Sequence, residues 1–88
     1  MPIDRNLLDN AINGPQNIWF EDACKLACQM GWNLERIKGS HHIFHHPKSP
    51  LIREQYPQPL NLQRRDDGKA KTYQIRQMLE MAKEMGII

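Results

Sequence analysis

Apolar residues along this chain follow two rhythms. Leu7, Leu8, Ala11 and Ile12 recur at helical spacing and are halted by Asn13-Gly14-Pro15, where glycine permits a terminating turn and proline forbids continuation. A short leading helix is predicted there. Ala23, Leu26, Ala27 and Met30 recur at i, i+3, i+4 and i+7, with Glu21 and Asp22 near the positive end of the helix dipole and Gly31 just past the last turn. This predicts a helix from Phe20 to Met30. The rhythm then becomes alternation: Trp32, Leu34 and Arg36 against Asn33, Glu35 and Ile37, the period of a strand packed on one side. Gly39-Ser40 supplies a turn, and His41 to His46, which contains the β-formers Ile43 and Phe44 and stops at Pro47, completes a hairpin. Leu60-Asn61-Leu62-Gln63 reads as a third short strand. Helical spacing returns with Ile75, Met78, Leu79, Ala82 and Met85, for which Thr72 is available as N-cap.

Between the second and third strands, Lys48 to Pro59 carries scattered apolar residues among prolines and is expected to be an extended surface loop. A second, basic loop runs from Arg64 to Lys71 and contains Asp67-Gly68. The predicted order is thus a short helix, a helix, three antiparallel strands and a helix. A chain this small buries both helical stripes most economically against one face of the sheet and leaves the other face open. The fold class is α+β, with the architecture of a double-stranded RNA-binding domain. Its 88 residues form one expected domain, 1–88, in which 1–16 is the leading helix and turn and 17–88 the core.

Charge changes the picture once it is divided along the chain. Residues 1–35 carry two Lys/Arg against five Asp/Glu, whereas residues 36–76 carry nine against three. Basic residues concentrated in one stretch are the footprint of a polyanion-binding face, and equally of a solvated one. No apolar run approaches the roughly 18 residues that span a bilayer, and no basic-then-apolar leader opens the chain, so a cytoplasmic protein without membrane attachment is expected. Cys24 and Cys28 lack the second closely spaced pair of a zinc ribbon and read as reduced core or boundary thiols. The five methionines read as core filler and an initiator.

All four histidines lie within six residues, at 41, 42, 45 and 46. Imidazole titrates near neutral pH, so it can take the proton of a ribose 2′-hydroxyl or return one to a departing 5′-oxygen. Lys38 precedes the turn and can stabilise charge on phosphate, while Ser40 and the backbone N–H groups of Gly39-Ser40 can bind an anion. Two other readings stand beside this one. Alternation puts His42 and His46 on one side of the strand and His41 and His45 on the other, so a pair supplies half of a tetrahedral zinc site, although no further ligands are evident nearby. The four can also form a solvated polar strand face.

The sequence resembles the HicA-like (YcfA-like) mRNA interferase toxins of type II toxin–antitoxin modules. The resemblance is carried by Phe20-Glu21, Gly31-Trp32, Arg36-Ile37-Lys38-Gly39-Ser40-His41-His42-Ile43-Phe44, His46-Pro47, Leu60-Asn61-Leu62-Gln63, Gly68-Lys69-Ala70-Lys71 and Tyr73-Gln74-Ile75-Arg76-Gln77. It covers most of the chain from Phe20 onward. Compared with relatives, the loop 48–59 is longer, and Thr72 stands where proline is frequent. The resemblance implies an endoribonuclease that cuts mRNA without metal or any other cofactor, and a HicB-like antitoxin that covers its active face. It places the catalytic histidine at His42 first and His41 second, because relatives with a single histidine often keep the second position. Under it Lys38, Lys69 and Lys71 contact RNA phosphates, joined by Arg76 from the first turn of the last helix. Trp19 and Trp32 can stack on bases, although Trp32 alternates with Leu34 and fits the core. A non-catalytic RNA-binding module, or an inactive relative held by an antitoxin, is the competing expectation.

Overall fold

In the computed structural model, which describes residues 2–48 and 59–88, the elements follow the predicted order. Helix α1 spans Arg5–Asn13, a 3-10 turn Pro15–Asn17, and helix α2 Phe20–Gln29. Strands β1 (Asn33–Lys38), β2 (His41–His45) and β3 (Leu60–Gln63) form an antiparallel sheet in that order, and helix α3 is Thr72–Glu84. The expectation of an extended loop at 48–59 falls largely outside the described residues.

Each helix starts and stops for a local reason. The Asp4 carboxylate accepts from the backbone N–H of Leu7 at 3.1 Å, and the Asp4 N–H donates to the side-chain carbonyl of Gln29 at 2.9 Å, which ties the first helix to the end of the second. Thr72 is not the N-cap that the sequence suggests. Lys71 occupies that position without a side-chain bond, and the Thr72 hydroxyl instead accepts from Arg65 at 3.3 Å.

The core sits between the helices and one sheet face. Leu26, Phe44, Leu60, Leu62, Ile75, Met78 and Met81 are buried there with Trp32, and each such side chain contributes roughly 1.5–3 kcal/mol by leaving water. Met30, Met78, Met81 and Met85 are all buried, as core filler should be. Strand β1 departs from expectation. Its six residues are all exposed, including Leu34 and Ile37, because it is an edge strand beyond the reach of the helices. A register shift between Leu34 and Arg36 makes Glu35 a bulge, so one-sided packing does not extend past Trp32.

The sheet continues beyond β3 as a ribbon too short to count as strand. Residues 69–71 return alongside 63–65 through Lys71 N–H to Gln63 C=O (3.1 Å) and Arg65 N–H to Lys69 C=O (2.7 Å). The segment 18–20 pairs on their far side through Ala70 N–H to Ile18 C=O (2.8 Å) and Phe20 N–H to Gly68 C=O (3.0 Å).

No described helix is long and apolar enough to cross a membrane. The two thiols differ sharply. Cys28 is exposed, whereas burial, then the neighbouring Cys28 and Glu21, push the half-buried Cys24 thiol up to about 11. Iodoacetamide at pH 8 is therefore expected to alkylate Cys28 and leave Cys24 largely unmodified, which peptide mass spectrometry reads directly; equal labelling would contradict the burial of Cys24.

Candidate active site on the open sheet face

Strand alternation separates the four histidines, and the pairing register tells which way each faces. His42 is opposite Leu62 and Phe44 opposite Leu60, so these point into the core; His41 is opposite Gln63 and Ile43 opposite Asn61, on the uncovered face. His46 is buried and fully committed. Its Nε2–H donates to the Met30 carbonyl at 2.9 Å, and its Nδ1 accepts from the Lys48 backbone N–H at 3.0 Å. Buried and bonded to backbone at both ring nitrogens, His46 is out of reach of a substrate. His45 is exposed, 3.6 Å from the Glu35 carboxylate on the bulge. His42 is half-buried with its ring edge-on to Phe20, centroids 4.8 Å apart, and its Nδ1 is buried without a hydrogen-bond partner.

His41 is held by side-chain amides on both ring nitrogens. Asn61 Nδ2 lies 2.7 Å from Nδ1, and Gln63 Nε2 lies 3.3 Å from Nε2. Both amide nitrogens cannot donate to one neutral ring, which has a single lone pair. Gln74 decides between them. The Gln63 backbone N–H donates to Gln74 Oε1 at 2.7 Å and Gln74 Nε2 donates to Gln63 Oε1 at 2.8 Å, so the Gln63 amide must present its nitrogen to His41. Turning the Asn61 amide removes the conflict, because its Oδ1 then accepts the Nδ1 proton. His41 then carries its proton on Nδ1, and its Nε2 lone pair accepts from Gln63 at 3.3 Å, a long contact that a substrate hydroxyl has to displace.

Gln74 is buried, which makes this bridge structural as well. Gln74→Leu strips the Gln63 N–H of its acceptor and is expected to cost about 1–3 kcal/mol, read as a lower urea midpoint with an unchanged slope. An unaltered midpoint would mean that the bridge is not made in solution.

Around His41 the same face collects cations. Lys38 is the cross-strand neighbour of His41, Arg36 lies opposite Ile43, and alternation in the ribbon adds Arg65, Lys69 and Lys71. Arg65 is engaged: its guanidinium binds Asp67, whose carboxyl is held down at about 2 by that bond first and by the Lys69 backbone N–H second. Because this carboxyl sits below the ordinary value of 3.8, the clamp is intact above that value and is lost as pH falls through about 2. Lys69 bonds the Asn17 side-chain oxygen. Among the described residues Arg36, Lys38 and Lys71 make no ion pair. Gly39, at φ +61°, and Ser40 form the exposed hairpin tip beside Lys38 and His41. Arg76 is not part of this group; it lines a groove with Ile12, Pro15, Leu79, Glu80, Lys83 and Ile88, among which there is no strand residue.

Asn61, Gln63 and Gln74 are the residues that reading for chemistry passed over. The alternation of Leu60-Asn61-Leu62-Gln63 already places both amides opposite the apolar pair, but nothing local says that His41 is their neighbour. Among the described residues, no group of three His, Cys, Asp or Glu side chains is placed to hold a metal ion.

Comparison with known proteins gives one family. The model of the HicA toxin of bacterial toxin–antitoxin systems matches residues 20–87, the whole of the sheet with α2 and α3. No curated protein and no solved structure matches the chain.

Proposed function

Since the chain belongs to the HicA toxin family of bacterial toxin–antitoxin systems, we propose that it is an endoribonuclease that cuts messenger RNA with His41 as general base. The observation that carries this reading is the place of His41, between the Asn61 and Gln63 amides, on an open, cation-lined face. His41 Nε2 takes the proton of a ribose 2′-hydroxyl; the 2′-oxygen attacks the adjacent phosphorus; the P–O5′ bond breaks, and the 5′-oxygen leaves with a proton from water. The products are a 2′,3′-cyclic phosphate and a 5′-hydroxyl end. Lys38 and the backbone N–H groups at Gly39-Ser40 stabilise charge gathering on the phosphate oxygens, while Lys69 and Lys71 hold the strand on either side. This order, His41 before His42, reverses the ranking that the resemblance alone implies. It is supported by the inward orientation of His42 against Phe20. The partner that silences the activity is an antitoxin of the HicB type, covering the open face.

The test is incubation of the purified chain with a long single-stranded RNA in excess EDTA, beside His41→Ala. Fragments ending in cyclic phosphate from the parent, and intact RNA with the variant, support the reading. RNA that is bound in a salt-sensitive way but left intact by the parent would favour a binding module instead.

A further inference from the structure

The open face does not end at Lys69. Ile18 and Phe20 are buried, so Trp19 between them turns to the same side as His41 and Lys69, and its ring is about half exposed, at 52%. An exposed tryptophan needs a reason, and the surroundings of this one are built. Gly68, at φ +88°, lies next to the ring: a Cβ there would come 3.4 Å from Trp19 Cζ3. The Lys69 ammonium stands over the ring, 5.2 Å from its centroid, and is anchored by Asn17. Asp67 holds the turn that presents both.

Trp19 also forms one wall of a groove of about 450 Å³ between α1, the 3-10 turn and the start of α2, within the size range of small-ligand pockets. Asn10, Asn13 and Asn17 line it with the half-buried Asp22. Three ribbon spacings of about 4.8 Å across and an offset from Gln63 to Arg65 along the strand put Trp19 roughly 16 Å from the backbone of His41.

We infer that this groove is a subsite for a single nucleobase flanking the cleaved phosphate; the inference rests on the endoribonuclease reading above. The base stacks on Trp19 in place of the Lys69 ammonium, which moves off the ring to the phosphate, and the side chains of Asn10, Asn13 and Asp22 read its edge. Asp22 repels phosphate and accepts from an exocyclic amino group, so adenine and cytosine are favoured over uracil. A rigid aromatic backed by glycine binds with little ordering cost, which suits a stacking platform.

The experiment uses His41→Ala protein and short deoxyoligonucleotides, which lack the reacting 2′-hydroxyl. Tryptophan emission is followed during titration with dA-, dC- and dU-containing strands, and the same titration of a Trp19→Phe variant isolates the contribution of the buried Trp32. Quenching that is stronger for dA and dC, and a preference that disappears in Asp22→Asn, are the expected results. In the cleaving parent, Trp19→Leu should raise KM about tenfold with kcat within twofold and an unchanged circular dichroism spectrum, and Trp19→Phe should restore most of the loss. RNA cleavage with a KM indifferent to Trp19→Leu overturns the subsite and leaves the nuclease intact. Quenching equal for all bases overturns the base preference. Absence of any RNA binding or cleavage by the parent overturns the nuclease and the subsite together.

Discussion

His41→Ala is expected to lower the rate of RNA cleavage by roughly 10²–10⁴-fold, the contribution of a positioned general base. The loss should fall on kcat, because His41 acts on a proton that moves only in the transition state, while Lys38, Lys69 and Lys71 still bind the strand. His42→Ala supplies the discriminating comparison. His42 packs edge-on against Phe20, 4.8 Å between centroids, and faces the core side of β2. Its removal is expected to show in the thermal midpoint more than in kcat. If His42→Ala abolished cleavage in a folded protein while His41→Ala cut normally, the assignment of the base would be wrong and the order implied by the resemblance right. Growth arrest on expression of the parent, relieved by His41→Ala at equal protein level, is the cellular form of the same result.

Gly31→Ala is expected to destabilise the protein by about 2–4 kcal/mol, from two costs that act together. Gly31 has φ +101°, a conformation that an L side chain rarely adopts. An added Cβ would also lie 2.7 Å from Nε2 of His46, the atom that bonds the Met30 carbonyl. His46 cannot simply step aside, since its ring packs edge-on to Trp32 with centroids 4.9 Å apart and its other nitrogen receives the Lys48 N–H. The junction of α2 with β1 is thereby locked to the exit of β2. For a domain of this size such a loss lowers the thermal midpoint by roughly 10 °C or more. A variant melting within a degree or two of the parent would show that neither the backbone conformation nor the contact matters. His46→Ala in the same assay should also destabilise, because it leaves the Met30 carbonyl and Lys48 N–H without their partner.

Both predictions bear on the same histidine cluster, and they show why four like residues in one short segment do not have one role. His46 ties two elements together, His45 faces solvent beside Glu35, His42 fills space against Phe20, and His41 sits on the open face between the amides of Asn61 and Gln63. That face continues to Trp19, which also lines a groove formed by the helices.

Element order and type were legible in the sequence because they rest on local periodicity: the i, i+3, i+4 stripes of α2 and α3, the punctuation at Gly14-Pro15 and Gly39-Ser40, and the alternation in Leu60 to Gln63 follow from backbone geometry. Family membership was legible too, since it resides in residues spaced along the chain. Burial of β1 was not. Alternation states which residues share a face, and whether anything covers that face depends on how far α2 and α3 extend; they do not reach Leu34 and Ile37. Nor could the sequence rank the histidines, since strand parity separates His41 from His42 without saying which side is core. Which side is core was decided by Leu60, Leu62 and Phe44 facing the helices, and Gln74, 33 positions from His41 in the chain, reaches Gln63 beside it. Hydrogen bonds between residues far apart in sequence exist only once the chain has folded, so the setting of His41 between two amides and of Trp19 beside Lys69 belongs to the tertiary structure.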